Sequence, residues 1–520
     1  MAAHAELAAE LFPASDRCIA CHSNVHAADG TDVSIGYDWR ASMMANSALD
    51  PYWHAGVRRE VMDHPAAQAL IEDTCSTCHM PIDRFAAALA GGQGRVFANV
   101  GLPPSSAPAP AAADGVSCTV CHQIDGGNFG TEESFDGGFA IDTNAPPGAR
   151  RIFGPYAVDS GRAALMESAT RVRPAESVHL QQSELCATCH TLFTHALNEA
   201  GEPIARLPEQ VPYLEWLESE YRASASCQSC HMPEVPGEVP MSSVLGEPRP
   251  NVSRHVFQGG NAFMLGVLAR HRGELGVKAL PQELDAAIAR TKEYLATATA
   301  RVRVEPADVR AGRLVFDVHV ENLAGHKFPT AYPSRRAWLH VKVTDGAGAV
   351  VFESGAVGPD GAIAGNDNDA DGGRFEPHYD EIERADQVQI YEPIMVGADG
   401  RVTTGLLSGV RYAKDNRLLP RGFDKARASP DVAVQGAARE DPTFVAGGDR
   451  VRYAVDVGGA RGPFAVEAEL LFQSIGYRWA ENLRAYAAPE TERFLAFYRE
   501  AAPGSALRVA TATLTLETAE

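Results

Sequence analysis

The stretch SELCATCHTLFTHA, residues 183–196, contains two cysteines separated by two residues, and a histidine follows the second cysteine directly. The same Cys-x-x-Cys-His pattern occurs four more times, and the five copies together account for all ten cysteines of the chain. The copies are Cys18-Cys21-His22, Cys75-Cys78-His79, Cys118-Cys121-His122, Cys186-Cys189-His190 and Cys227-Cys230-His231. Since no cysteine lies outside a copy, this pattern dominates the chemistry of the first half of the chain.

This pattern is the signature of covalent haem c attachment. The two thiols form thioethers with the two vinyl groups of one porphyrin, and the histidine that follows becomes the proximal ligand of the iron. The spacing therefore predicts that all ten cysteines bind the cofactor. It also predicts that His22, His79, His122, His190 and His231 are proximal iron ligands.

Three other uses of paired cysteines explain the pattern less well. Structural zinc needs sets of four ligands, which gives no reason for a histidine at the same offset in every copy. A redox dithiol of the thioredoxin type is a single Cys-x-x-Cys in a βαβ setting. Structural disulfides would not keep one spacing in every pair. We therefore predict five haems c.

Length and charge limit the class of protein. A chain of 520 residues is long enough for two or three domains. The net charge of −21 argues against nucleic acid as a partner, and we expect redox proteins, other cytochromes or further copies of the chain instead. No apolar run is long enough for a transmembrane segment. Because haem c is attached outside the cytoplasmic membrane, we expect a periplasmic or extracellular protein whose signal peptide is absent from this sequence.

The chain changes character near residue 300, so we expect an α+β multidomain protein. Residues 1–265 are predicted to form an irregular, partly helical pentahaem cytochrome c domain, and residues 266–300 to form connecting helices. From residue 301 to 520 the apolar residues alternate, as in RLVFDVHVEN and FAVEAELLF, which predicts an antiparallel β-sandwich with one late helix from Pro489. Because the first segment has little periodic apolar pattern, we expect it to be largely unfolded without its porphyrins.

The sixth ligand of each iron decides between an electron carrier and an enzyme. His179 precedes Cys186 by seven residues, His255 lies next to two glycines that permit close approach to a flat ring, and His326 lies in a loop between two strands. With His64 and His54, these are the predicted distal ligands. Further candidates for a distal ligand are His26, His195, His378, Met43 and Met44.

A second metal is also predicted, in the stretch NDNDADGG. Asp367, Asp369 and Asp371 alternate ahead of Gly372, as at the start of a calcium loop, although the position of the closing glutamate is occupied by His378. Calcium there would need help from Glu376 or Asp380. The alternative is a solvated acidic loop.

The haem segment resembles the multihaem c-type cytochromes related to the tetrahaem electron carrier of nitrifying bacteria and to the hydroxylamine oxidoreductase group. The resemblance covers about residues 15–265 and rests on HLQQSELCATCH, on the two CHMP endings and on RHVFQGGN. AGHKFPT and EPHYDEI are similar to the C-terminal β-domain of some bacterial multihaem proteins. The resemblance implies closely packed, mostly bis-histidine haems, and it favours His179 and His255 as distal ligands. Pentahaem nitrite reductases use a lysine in one motif, whereas all five motifs here end in histidine.

We therefore expect electron transfer through five covalently bound haems between periplasmic or extracellular redox partners, and a carrier rather than an enzyme. One alternative is a multihaem oxidoreductase that acts on a small nitrogen or sulfur compound at a five-coordinate haem. Another is a subunit of an extracellular cytochrome filament.

Overall fold

The computed structural model describes residues 2–102, 109–146, 148–307 and 313–517, and the chain forms two compact units. The first unit comprises Met1–Leu192, Ala225–Thr291 and Ala487–Phe494, and the second comprises Phe193–Ser224, Lys292–Tyr486 and Leu495–Glu520. These bounds differ from the expected division at residues 265 and 300. Residues 193–224 join the second unit because Phe193 and Val211 are buried in its core.

The first unit consists of short helices and three two-stranded sheets. Its helices are Ala2–Leu11, Ser15–Ile19, Ile35–Arg40, Pro51–Asp63, Gln68–His79, Pro81–Leu89, Pro110–Ala113, Cys118–Cys121, Ser160–Thr170, Ser183–His190, Cys227–His231, Ala262–Arg270 and Arg272–Leu275. Its paired strands are Ile124–Asp125 with Ala140–Ile141, Arg150–Gly154 with Val172–Glu176, and Val239–Pro240 with Pro248–Arg249. Each Cys-x-x-Cys-His motif lies in a short helix or begins in one.

Two apolar clusters of the first unit are small. One joins Leu11 and Phe12 of the N-terminal segment to Ile82, Val120 and neighbouring side chains. Another consists of Val25, Val33, Val235, Val239 and Val252. Clusters of this size bury little apolar surface per residue, so they leave a large role for any apolar group that binds between the helices.

The second unit is built on two larger sheets. The strand order of one is Glu381–Ile382, Gly448–Asp456, Arg313–Asn322 and Ala300–Pro306. The order of the other is Val350–Ser354, Arg336–Thr344, Phe464–Gln473 and Leu507–Leu516, and Ile390–Tyr391 also pairs with Arg336–Thr344. Smaller sheets join Val402–Thr403, Pro393–Val396 and Arg411–Asp415, and Leu192–Leu197 with Pro203–Gln210. Short helices are Pro212–Leu217, Asp367–Ala370 and Tyr477–Glu481.

Both large sheets contribute side chains to one buried cluster. Phe316 and Val318 of one sheet and Leu339 and Val341 of the other are all fully buried in it. These are alternate positions of strands that the period-two pattern predicted. The pairings are antiparallel except that Glu381–Ile382 runs parallel to Gly448–Asp456, a pairing that the pattern did not predict.

Two of the points at which the chain passes from one unit to the other lie inside helices, Pro281–Ala298 and Pro489–Ala501. Both begin at the proline that the sequence indicated, since proline suits the first helical turn. Within the described ranges, none of the helices combines the length and the apolar character that crossing a membrane requires.

Candidate haem-binding centre

The first unit brings motifs that are far apart in sequence into contact through their thiols. The Cys18 thiol is hydrogen bonded to Cys118, and the Cys186 thiol is hydrogen bonded to Cys227. The Cys78 thiol is hydrogen bonded to Cys189. The first motif therefore lies beside the third, the second beside the fourth, and the fourth beside the fifth.

The third and fourth motifs are also neighbours. Burial, with the nearby Cys189 thiol as a second cause, raises the pKa of Cys121 to about 12. The hydrogen bond with Cys186 lowers the pKa of Cys227 to about 7. The five motifs thus form one continuous set, in which the fourth is hydrogen bonded to the second and the fifth and lies near the third.

Serine side chains start two of the helices that carry the motifs. Ser117 Oγ accepts a hydrogen bond from the backbone N–H of Val120 at 3.3 Å. Ser226 Oγ accepts one from the N–H of Ser229 at 3.3 Å. Serine is a favoured N-cap because its oxygen satisfies a donor at the helix start. Both serines come directly before a cysteine, so the cap holds the Cys-x-x-Cys turn in helical form.

Four of the motif histidines donate Nδ1–H to a backbone carbonyl. The Nδ1 to oxygen distances are 2.8 Å from His22 to Met241, 3.2 Å from His79 to Ser47, 2.7 Å from His122 to Phe153, and 2.5 Å from His231 to Gln258. A proton held on Nδ1 leaves the Nε2 lone pair for a metal, which is the usual arrangement of a metal-bound imidazole. The histidines and thiols of the motifs therefore fit haem c.

Burial keeps the imidazoles of His79 and His255 neutral. It lowers the pKa of His79 to about 4, with smaller effects from the Ser47 carbonyl and from His190. It lowers the pKa of His255 to about 3 as well, and His122 adds to that shift. Because only the neutral ring can bind a metal, both side chains are ready for ligation at neutral pH.

The ring of His255 faces the ring of His122. Their centres are 6.1 Å apart and their planes differ by 13°. A metal–imidazole bond is about 2 Å long, so two rings on opposite sides of one metal have their centres about 6 Å apart. His255 Nδ1 is hydrogen bonded to the carbonyl of Ser253 at 3.1 Å, which leaves Nε2 for the metal. The distance between the two ring centres suits a single metal that both rings would hold.

Two other predicted distal ligands have protein partners at both ring nitrogens. His54 donates from Nε2 to the carbonyl of Ala48 at 2.8 Å and accepts at Nδ1 from Arg493 at 2.9 Å. His179 pairs with the carbonyl of Ile124 at 2.8 Å and with Ser177 Oγ at 2.6 Å. Ligation by either ring stays a prediction, and it requires that one of these hydrogen bonds be exchanged for iron.

The remaining predicted distal ligands are also untested. His64 ends the helix Pro51–Asp63 and is partly exposed. His326 lies in the second unit, where its Nδ1 is hydrogen bonded to the carbonyl of Lys327 at 2.8 Å. Burial lowers the pKa of His326.

The carboxylates of the predicted calcium loop have protein partners in this structure. Both oxygens of Asp369 are paired with Arg336, at 2.7 and 2.9 Å, and Asp367 is paired with Arg374. Asp371 accepts from the N–H of Gly373 inside its own turn. Asp367 and Asp369 lie in the short helix Asp367–Ala370, and calcium binding there stays a prediction.

His378 belongs to another group instead. Its Nε2 lies 3.0 Å from Asp441 and 3.9 Å from Asp449, and within the described ranges these three residues are the group whose donor atoms come close enough for a metal ion. The amides of Gln389 and Asn416 both donate to Nδ1, at 2.8 and 3.1 Å. The proton must therefore lie on Nε2, where it is donated to Asp441. The group is a satisfied hydrogen-bond network without a free lone pair for a metal.

Sequence reasoning missed the carbonyl partners of the motif histidines. Met241 is 219 positions from His22, and Gln258 is 27 positions from His231. Every residue has a carbonyl, so no residue type could have indicated these partners. Only the RHVFQGGN stretch, which contains Gln258, indicated that this part of the chain is important.

No family model matches the chain, and a search of curated proteins found no match. Among solved structures, the chain is similar to a penta-haem cytochrome c552 from Thermochromatium tepidum, with a TM-score of 0.52 and 15% sequence identity. The match covers 97% of this chain and 98% of that chain. The chain therefore has the fold of that penta-haem cytochrome along nearly its whole length. The resemblance to the hydroxylamine oxidoreductase group stays a prediction.

Proposed function

We propose that this protein is a multihaem c-type cytochrome that transfers electrons through five covalently bound haems. The proposal rests on one observation about four of the five motif histidines. Each of the four donates Nδ1–H to a backbone carbonyl, which leaves the Nε2 lone pair for iron. When bound, haem supplies reversible one-electron chemistry. The protein contributes the ligands, their orientation and a low-dielectric surrounding. We propose that it transfers electrons between redox partners in the periplasm or outside the cell.

The thiol contacts support an order for the electron path. The first motif is hydrogen bonded to the third, the third lies near the fourth, and the fourth is hydrogen bonded to both the second and the fifth. Neighbouring attachment points keep neighbouring cofactors close. We infer a path from the first motif through the third to the fourth, which then branches to the second and the fifth.

Mass spectrometry of the intact protein tests the cofactor number. We expect the mass of the chain plus five haems. Replacement of both cysteines of one motif, as in Cys227→Ala with Cys230→Ala, should remove one haem and leave four. Zinc in place of haem, or a mass that does not change with the cysteines, would contradict the proposal.

We also propose that His122 and His255 bind one iron from opposite sides. His255→Ala should convert one of the five irons from low spin to high spin and let it bind carbon monoxide after reduction, because one axial ligand is lost. His319→Ala is the control, since His319 lies on a strand of the second unit beside Glu305. Electron paramagnetic resonance counts the high-spin iron. A spectrum unchanged from that of the parent protein would refute the pairing.

A further inference from the structure

An exposed hairpin tip lies beside the first attachment motif. The strands Val239–Pro240 and Pro248–Arg249 pair, and residues 243–247 between them are all exposed. The tip presents Val244, which is 42% exposed, and Leu245, which is 68% exposed. Leu245 is the most exposed large apolar side chain among the described residues.

The hairpin is built as a rigid support. Val239 belongs to the buried valine cluster of the first unit. At the tip, Ser242 Oγ lies 3.0 Å from both the N–H and the carbonyl of Val244. A Cβ at Gly246 would lie 2.1 Å from the carbonyl oxygen of Ser242, so the turn accepts only glycine there. These contacts hold the two apolar side chains in a defined place.

The backbone of Leu245 supports a functional interpretation. Its φ of +52° lies in the left-handed region, which is costly for residues with a Cβ other than asparagine and aspartate. A leucine in this conformation with most of its side chain in water gains nothing from burial inside the protein. Strain of this kind concentrates where a surface is shaped for a ligand or a partner.

The tip is attached directly to the first motif. The N–H and the hydroxyl of Ser243 both donate to the carbonyl of Cys21, at 2.9 and 3.1 Å. The carbonyl of Met241 accepts from Nδ1 of His22 at 2.8 Å. The apolar tip therefore lies within a few residues of the cysteine and the histidine that the first haem would use.

Charged side chains lie beside the tip, and its two arginines are ion-paired. Arg162 donates to the carbonyl of Leu245 at 2.7 Å and is paired with Asp159 and Glu247. Arg249 is also paired with Glu247, at 3.5 Å. Glu238 is exposed directly before the strand Val239–Pro240. Because these pairs neutralise both arginines and the chain carries a net charge of −21, the surroundings of the tip favour a positively charged partner.

We propose that this tip is the docking surface for a soluble, basic electron-transfer protein. The inference rests on the proposed function and adds the partner and the point of contact. A small apolar centre inside a charged rim suits a short-lived encounter, in which charge raises the association rate and the limited area permits rapid release. A second copy of the chain fits poorly, because its net charge is also −21.

Stopped-flow electron exchange between the five-haem protein and a basic mono-haem cytochrome c tests the proposal. Leu245→Asn with Val244→Ser should lower the second-order rate constant by about tenfold at low salt. Asparagine tolerates the left-handed backbone, so the turn should persist. Leu89→Asn is the matched control, since Leu89 is 47% exposed elsewhere in the first unit. Glu238→Lys should slow the exchange and weaken its dependence on salt.

The outcomes separate the two proposals. Equal rate constants for the parent protein and the tip variant, with five haems and the parent spectrum in both, would overturn the docking surface and leave the proposed function standing. Sedimentation that shows a dimer of the parent protein and a monomer of the tip variant would also overturn it, in favour of self-association. Absence of haem from the parent protein itself would refute the proposed function.

Discussion

Without haem attachment, the first unit is expected to lose its fold while the second unit keeps its own. Two apolar clusters of the first unit are small, and several buried groups, such as the Nε2 atoms of His22 and His231, are arranged for a ligand. The second unit instead has an extensive core of side chains from two sheets. Hydrophobic burial is the main favourable term in folding, and removal of the porphyrins takes apolar surface away from the first unit only.

Hydrogen exchange of the full chain, produced with and without haem attachment, measures this difference. Amides of the helices Gln68–His79 and Ser183–His190 should exchange rapidly in the haem-free chain, and those of the strands Arg336–Thr344 and Phe464–Gln473 should stay protected. The strands serve as the internal control. Protected helices in the haem-free chain would contradict the prediction.

The second large effect concerns a buried charge network in the second unit. Lys327 Nζ lies 2.7 Å from Asp415, and Arg417 is paired with both Asp415 and Glu215 at 2.8 Å. All four side chains are almost completely buried. Asp415→Asn leaves two buried cations with one carboxylate, which should lower the free energy of unfolding by about 3–5 kcal/mol. Denaturant titration of hydrogen exchange in the same strands measures the loss.

Asp317→Asn is the matched control. Asp317 is paired with Arg450 and Arg452 on the face of a strand, where both arginines are partly exposed. The loss there should stay below about 1 kcal/mol, because exposed ion pairs contribute little. Equal losses in the two variants would show that burial does not set the strength of the Asp415 network.

The same network makes the stability of the protein depend on pH in the acid range. Burial would raise the pKa of Asp415, but Arg417 and Lys327 outweigh it and hold the pKa well below its usual range. A carboxyl with a depressed pKa contributes its full stability above the unfolded pKa of about 4 and loses it as the pH falls further. The parent protein should therefore lose stability below about pH 4 more steeply than Asp415→Asn. Acid unfolding curves that run parallel would contradict this.

Much of the secondary structure could be predicted from sequence because its causes are local. The strands Arg313–Asn322 and Phe464–Gln473 follow from apolar residues at every second position, since successive side chains point to opposite faces. Proline marked the starts of Pro281–Ala298 and Pro489–Ala501. The assignment of residues 193–224 to the second unit could not be predicted in this way, because it depends on packing against strands more than a hundred positions away.

The candidate site also has features with local causes and features that depend on tertiary packing. Each Cys-x-x-Cys-His motif is a self-contained chemical unit of five residues, so the sequence by itself predicts five attachment points and the side chains that they would use. Only the tertiary structure decided which motifs are neighbours, that His255 faces His122, and that His54 and His179 have partners at both ring nitrogens. It likewise decided that Asp369 pairs with Arg336, whereas the sequence pattern predicts that Asp369 binds calcium together with its neighbouring carboxylates. The physical reason is that covalent attachment needs only local spacing, whereas a ligand or an ion pair depends on which distant backbone donors and charges the fold brings within about 3 Å.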